Sequence, residues 1–409
     1  MKKDNSKNKI KCNYCSIKNE EQDVFLGTES SICIDCITTL NAYINSSQKT
    51  QSYTVDKKPE LIDLLVNFKP VKIIDHLNKY IIEQNEAKEV MSVSFYNHYK
   101  RLILKDPDIQ KSNILLMGPS GSGKTLISQK ISNLLDLPFV SVDATKFTEA
   151  GYIGSDVEDI LTELYIKSGE DLEKTEYGIV HIDEWDKISE PSKGSHHVNK
   201  RGVQQSFLKM IEGGDFFVST TINKKDIDSD KIKINTKNIL FICSGAFEGI
   251  YDVVKKRMNV NSGMGFSSQL KEDISDYSFI DQVEDVDLIN YGMMKEIVAR
   301  LSFKTFVREL SESDLKKIIT EPKDSIINGY KKLLKLDGIN LEFDDSAVSE
   351  IASIAFKQKT GARALKSIMD KRLKDVMIEA SKGSNKKVVM IDKDYVLGNK
   401  NAKDLFVKK

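Results

Sequence analysis

The sequence predicts an α/β fold. A parallel sheet with helices on both faces is followed by a small, mostly helical C-terminal domain and preceded by an N-terminal cysteine module. Three observations carry this. Gly118-Pro119-Ser120-Gly121-Ser122-Gly123-Lys124-Thr125 lies between an apolar run, Ile114 to Met117, and a segment with Ile127, Ile131, Leu134 and Leu135 at helical spacing. Further short apolar runs alternate with helical patterns downstream, as strands and helices do around a parallel sheet. Four of the five cysteines form two Cys-x2-Cys pairs near the start.

At 409 residues the chain is long enough for two or three domains. Hydrophobic residues make up 40% and charged residues 30%, the balance of a soluble globular chain. Lys+Arg and Asp+Glu both number 61, so no global basic field recruits nucleic acid or a membrane surface. No apolar run approaches the ~18 residues of a membrane helix. The basic, polar start, Met1 to Lys11, has no apolar stretch behind it and does not read as a secretory signal; a cytoplasmic setting is expected.

Taken in order, residues 1–50 form the first module. Cys12, Cys15, Cys33 and Cys36 have zinc-site spacing, two ligands from each tight turn. Four thiolates leave no open position, so the metal would be structural. Disulfide pairing is the alternative, and it suits an intracellular chain poorly. Cys243 stands alone in an apolar run and reads as a core residue. Ser46 to Lys58 is polar, and 51–70 is read as a linker.

A large domain is expected over 71–310. A long helical pattern runs from Asp75 to Lys105, with Ala87, Met91, Phe95, His98 and Tyr99 on one face. Strands follow at Ile114–Met117, Phe139–Val142, Ile179–Ile182 and Ile239–Cys243, with a helix around Ile160, Leu161 and Leu164. From 311 to 409 the character turns helical. Ser311 and Asp314 have capping-box spacing, helical patterns cover 346–358 and 361–380, and a last strand is read near Val388 to Ile391.

The chemistry follows from the strand–loop–helix context. The glycines let backbone N–H groups curl around a phosphate, and the helix N-terminus adds its dipole. Lys124 would reach the β- and γ-phosphates of ATP, and Thr125, with Leu126 next in the first turn, would hold Mg²⁺. Asp183 and Glu184 end a buried strand beside this loop, where such sheets place their ligands. Asp183 would hold Mg²⁺, directly or through water, and Glu184 would polarise the attacking water.

Beyond these motifs the chain resembles the ClpX family of AAA+ protein unfoldases, over almost its whole length from Cys12 to about Lys374. The resemblance is carried by the four-cysteine module, Tyr96-Asn-His-Tyr-Lys-Arg101, Gly151-Tyr-Ile-Gly154 and Ile182-Asp-Glu-Trp-Asp-Lys-Ile188. It continues in Gly202-Val-Gln-Gln205, Ile239 to Phe247 and Gly361-Ala-Arg363. It implies an ATP-driven unfoldase and translocase, a homohexamer that feeds a ClpP-type peptidase. It implies a zinc module that dimerises or receives adaptors and substrates.

The resemblance also assigns roles. Tyr152 and Ile153 match a pore loop that grips polypeptide. Ser244 matches a polar sensor near the γ-phosphate. Arg363 matches a second sensor reaching the nucleotide from the small domain, and Arg300 the finger that enters a neighbouring subunit. Ile81 and Ile82 match the segment that packs the adenine base. Met264, Gly265 and Phe266 match the peptidase-docking loop. On residue type alone, Tyr152 is an ordinary loop aromatic, Ser244 a strand-end residue and either arginine a surface charge, whereas the exposed apolar tip at Met264–Phe266 favours a partner site over a loop folded on its own domain.

Several positions depart from the family. Glu83 stands where glycine is usual, Trp185 where an aliphatic residue is common, and Ala299 where glycine precedes the finger. Lys295 replaces a proline, and Arg201 replaces an acid. The basic pore-entrance loop is missing between Gly214 and Asn235, which bears on substrate choice. His196 and His197 read as solvated. Two other readings remain: a remodelling chaperone without a peptidase, and a zinc-finger nucleic-acid ATPase, which the zero net charge and the absence of a basic-aromatic groove disfavour.

Overall fold

The computed structural model describes residues 9–13, 15, 18–20, 24–26, 30–38, 67–104, 108–147, 156–189, 200–219, 231–261, 282–382 and 388–407. Tyr152, Ile153, Met264, Gly265, Phe266, His196 and His197 lie outside them, as does most of the 51–70 linker. The chain forms two compact units. One is Met1–Asp56 with Leu104–Asp106, the other Lys57–Ile103 with Pro107–Lys409.

In the first unit, strands β1 (Lys9–Lys11) and β2 (Lys18–Glu20) pair antiparallel, as do β3 (Val24–Leu26) and β4 (Ser31–Cys33). A short helical turn covers 34–38. Cys12, Cys33, Cys36 and Val24 make its small buried cluster.

The second unit is built on five parallel strands: β5 (Ile114–Met117), β6 (Phe139–Asp143), β7 (Ile179–Asp183), β10 (Leu240–Gly245) and β11 (Phe303–Phe306). Their spatial order is β11-β5-β10-β7-β6. Period-two alternation decides which side chains go where. Leu115, Met117, Val180, Ile182, Phe241 and Cys243 join one core with Trp185 and Phe207, while Ile114, Leu116, Ile179, Leu240 and Ile242 join another with Phe95 and Ile127. Both faces are therefore covered, and the strands read as continuous apolar runs. A hairpin of β8 (Asp215–Ser219) and β9 (Lys231–Asn235) stands apart from this sheet.

The helical pattern from Asp75 is broken. Helix α1 (Pro70–Asn78) ends, and α2 (Asn85–Leu104) starts after Glu83 and Gln84, both left-handed at φ 53° and 61°. Non-glycine residues adopt that region at a cost, so two in succession mark a turn held by its surroundings. The Gln84 amide holds it: Nε2 donates to Arg308 O at 2.9 Å, and Oε1 accepts from Arg308 N at 2.7 Å.

Helix α3 (Lys124–Leu134) follows the glycine loop, and α4 (Glu158–Lys167), α5 (Leu172–Glu176), α6 (Trp185–Ser189) and α7 (Lys200–Glu212) follow in turn. Next come α8 (Ile250–Asn261), α9 (Asp285–Tyr291) and α10 (Lys295–Arg300). From Leu310 onward a separate core forms among α11 (Glu312–Thr320), α12 (Ile326–Leu336), α13 (Asp345–Lys357), α14 (Arg363–Ser381) and α15 (Lys393–Leu397). Beside them lie β12 (Asn340–Phe343), β13 (Val388–Ile391) and β14 (Phe406–Val407). Helix α11 opens on the capping box of Ser311 and Asp314. Among the described residues no helix is long and apolar enough to cross a membrane.

Candidate active site and cysteine cluster

The strand order brings the chemistry together. Strand β10 lies between β5, which feeds the glycine loop, and β7, which ends at Asp183. The C-terminal ends of all three therefore meet, the position expected for a ligand in such a sheet. A cleft of about 440 Å³ opens there, walled by Gly121, Gly123, Lys124, Thr125 and Leu126 on one side. Asp183, Glu184, Asp186 and, from the small domain, Arg363 also line it.

The loop geometry requires its glycines. Gly118 has φ +136°, and a Cβ there would meet Val307 O at 2.3 Å. Gly123 is left-handed at φ 102° and caps α3. The Lys124 ammonium, 7% exposed, donates to Gly118 O at 2.6 Å and Pro119 O at 2.8 Å. Burial pulls its pKa down to about 8, against the opposing pull of Asp183 and Asp186. Ser122 Oγ donates to Pro119 O at 2.6 Å and tightens the turn.

Asp183 is the hub of the acidic side. Its Oδ2 accepts from Thr125 Oγ1 at 3.2 Å, and its Oδ1 accepts from Ser244 Oγ at 2.6 Å. Burial pushes this carboxyl up, but the Ser244 hydroxyl, His181, the Glu184 N–H and Lys124 hold it below the ordinary aspartate value. It stays ionised and acceptor-only, as a cation ligand must. Glu184 is exposed to the cleft at φ 57°, and its own N–H donates to Asp183 Oδ1. Burial, then Asp143, Asp183 and Asp186, raise its pKa. A carboxylate of raised basicity at the cleft mouth suits a water-activating base. Thr125 and Asp183 present the hard oxygen donors that would hold Mg²⁺.

Asp186 was not singled out in the sequence, although it sits in the Asp183-Glu184-Trp185-Asp186 run. It is buried, its Oδ1 accepts from Ala246 N at 3.2 Å, and a Cβ on Gly245 would collide with that oxygen. It thus fixes the loop that leaves β10. His181 was also missed. It is fully buried, with Nε2 2.7 Å from Ser244 Oγ.

Of the other positions, Arg363 Nη1 donates to Ser120 Oγ at 3.1 Å. Pro119, Ser120 and Ser122 also line a neighbouring cavity with Leu310, Leu315, Phe356 and Gly361. Ile81 is buried in the core with Leu77 and Ile127, and Ile82 is half-buried; neither lines either space. Arg300 lies away from the cleft and pairs with Glu212 at 3.1 Å.

In the cysteine unit, the sulfurs of Cys12, Cys15, Cys33 and Cys36 all lie within 4.8 Å of one another. Cys12 and Cys36 are 4.0 Å apart and Cys15 and Cys33 3.7 Å, far longer than a sulfur–sulfur bond, so the four are not joined as disulfides. Ligands about 2.3 Å from a tetrahedral zinc stand about 3.8 Å apart, which these separations match. The Cys33 N–H also points at Cys12 Sγ, at 3.3 Å, in support of thiolate charge.

Comparison with known proteins agrees with this geometry. Residues 109–304 match the family model described as AAA domain (Cdc48 subfamily). Residues 310–388 match that of the C-terminal, D2-small domain of ClpB protein. The chain is 38% identical over 404 residues to the ATP-dependent Clp protease ATP-binding subunit ClpX of Treponema denticola, covering 96% of this chain and 95% of that one. The protein of the same name from Borrelia duttonii is 39% identical over 407 residues, covering 97% of this chain and 92% of its own. That of Bacteroides thetaiotaomicron is 40% identical over 408 residues, covering 95% of each.

Metal removal tests the cysteine cluster. With zinc held by the four sulfurs, a thiol reagent should find little to modify in the protein as purified. After chelation, Cys12, Cys15, Cys33 and Cys36 should react while Cys243, 0% exposed, stays protected until denaturation. Equal thiol reactivity with and without chelator would count against a metal there.

Proposed function

The chain belongs to the ClpX family of AAA+ ATPases, and from that membership we propose that it unfolds proteins and threads them into a ClpP-type peptidase at the expense of ATP. One observation carries the reading. The cleft that holds Lys124, Thr125, Asp183 and Glu184 is closed by Arg363, the first residue of α14, whose next residues Ala364 and Leu365 belong to a different hydrophobic core. A ligand that touches both bodies biases their relative position, and its hydrolysis releases that bias.

In this reading Lys124 and the loop N–H groups bind the β- and γ-phosphates, and Thr125 and Asp183 hold Mg²⁺. When bound, that ion neutralises charge on the phosphates. Glu184 takes a proton from the attacking water. Ser244 holds Asp183 in place beside the γ-phosphate position. Arg363 transmits occupancy to the small domain. Arg300, exposed on α10 and paired here with Glu212, would serve a neighbouring subunit of a homohexamer once it leaves that partner. Tyr152 and Ile153 grip the client, Met264, Gly265 and Phe266 dock the peptidase, and the zinc module receives adaptors or clients.

The test is ATP-dependent loss of fluorescence from a folded reporter carrying several terminal tags, with and without a ClpP-type peptidase. Glu184→Gln should bind ATP with affinity near that of the parent yet lower turnover by about 10²-fold or more, the scale of a lost general base, and abolish unfolding. Unfolding retained by Glu184→Gln would remove this assignment. Deletion of Met264–Phe266 should spare unfolding and abolish degradation.

Lys124 predicts a pH effect. Its free-state pKa of about 8 lies below the ordinary lysine value. Phosphate favours the ammonium, so above pH 8 nucleotide binding must take up a proton, and affinity falls as pH rises through 8. The same lowering makes folding stability rise with pH from about 8 toward the ordinary lysine value, because the unfolded chain binds more protons there. Calorimetry in two buffers of different ionisation enthalpy should show uptake above pH 8 and little below it.

A further inference from the structure

His181 has no part in the chemistry above, yet its placement is exact in proton-counting terms. It lies in the middle of β7, two residues before Asp183, and so faces the same side of the sheet. It is 0% exposed and flanked by Ser141 and Ile242 on the neighbouring strands. Its Nε2 is 2.7 Å from Ser244 Oγ, which is 2.6 Å from Asp183 Oδ1. Asp183 Oδ2 in turn accepts from Thr125 Oγ1. Four side chains from β7, β10 and the glycine-loop helix thus form one polar line.

The protons along it can be assigned. An ionised carboxylate has none to give, so the Ser244 hydroxyl donates to Asp183. That hydroxyl has a single proton, so it must accept in its other contact. His181 Nε2 therefore carries the hydrogen, and Nδ1 is a bare acceptor. Nδ1 is buried without a hydrogen-bond partner among the described residues, which costs less for an acceptor than for an N–H. Left alone, a serine hydroxyl can turn among its rotamers and aim its proton elsewhere. With a lone pair engaged by an N–H from behind, its proton is directed at Asp183.

We propose that His181 is a positioning residue for the ATPase site. Held as the Nε2–H tautomer, it fixes the Ser244 hydroxyl, and through it sets the Asp183 carboxylate with Oδ2 turned toward Thr125. The inference rests on the reading of Asp183 as the Mg²⁺-holding carboxylate. A histidine that merely filled the core would be replaceable by an apolar side chain without consequence for metal or nucleotide.

Three substitutions separate these roles. His181→Gln places an amide N–H near the Nε2 position, His181→Asn places one only near Nδ1, and His181→Leu supplies none. The first readout is the Mg²⁺ concentration needed for half-maximal binding of a fluorescent ATP analogue, without turnover. The others are the split between KM and kcat, and Tm without nucleotide. His181→Gln should recover most of the parental behaviour. His181→Asn and His181→Leu should raise the Mg²⁺ requirement about tenfold, the scale of one lost buried hydrogen bond to a charged network, with the main kinetic loss in kcat. Asparagine or leucine equal to glutamine overturns the inference, as does glutamine as poor as leucine.

Should the larger changes prevent folding, Ser244→Ala breaks the same line with a smaller alteration. His181→Asn added to Ser244→Ala should then have no further effect on the Mg²⁺ requirement, and an additive effect overturns the inference. Asp183→Asn is the control. If it binds the Mg²⁺–nucleotide like the parent, the reading of Asp183 fails and takes this inference with it. If it fails to bind while the His181 variants bind normally, only the inference falls.

Discussion

Two backbones meet with no side chain between them, and the coupling in this molecule depends on that contact. Gly121 in the phosphate loop and Gly361 ahead of α14 are both left-handed. A Cβ on Gly121 would lie 2.3 Å from Thr360 O, and one on Gly361 2.7 Å from Gly121 O. The Ala362 N–H donates to Gly121 O at 3.0 Å. Only glycine permits this approach. In the proposed mechanism a shift in the loop as phosphate enters would carry the small domain's helix with it, with no compliant side chain to absorb it.

Weaker ties surround this junction. Arg363 reaches Ser120, Lys130 pairs with Asp324, and the Lys323 N–H donates to Lys79 O. The turn at Glu83 and Gln84 belongs to the same belt. The family resemblance leads one to expect glycine where Glu83 stands, and a left-handed φ is what glycine adopts readily. Here the strained glutamate pairs with Lys317 of the small domain at 3.2 Å. An exposed pair of this kind contributes little stability, but it adds a cross-domain tie. Trp185, where the resemblance leads one to expect an aliphatic residue, fills the core beside Phe207, ring centroids 5.3 Å apart, and its indole N–H has no hydrogen-bond partner among the described residues. The large ring supplies packing at the cost of one unsatisfied donor.

Much of this was legible in the sequence because it is local. The glycine loop, the acids ending an apolar strand, the capping box at Ser311 and the two Cys-x2-Cys pairs are each set by near neighbours along the chain. What was missed depends on contacts that spacing does not encode. The helical pattern from Asp75 runs through the break at Lys79–Gln84, because periodicity records apolar faces and not the sign of φ. His181 looked like part of an apolar strand, since its partner Ser244 lies on the adjacent strand. Two short strands, Phe303–Phe306 and Asn340–Phe343, carry too few residues for an alternation to stand out. Ile81, expected at the base, is buried in the core beside Leu77 and Ile127.

The central claim is mechanical: occupancy of the cleft moves the small domain relative to the sheet. Spin labels introduced as Lys174→Cys and Leu336→Cys, both at exposed positions on opposite bodies, read that directly when labelled chains are diluted into unlabelled ones. In a Glu184→Gln background the distance distribution should shift between the nucleotide-free and ATP-loaded protein, and the shift should shrink when Gly361→Ala and Arg363→Ala are added. Distributions that coincide with and without ATP, in protein shown to have bound it, would contradict the account.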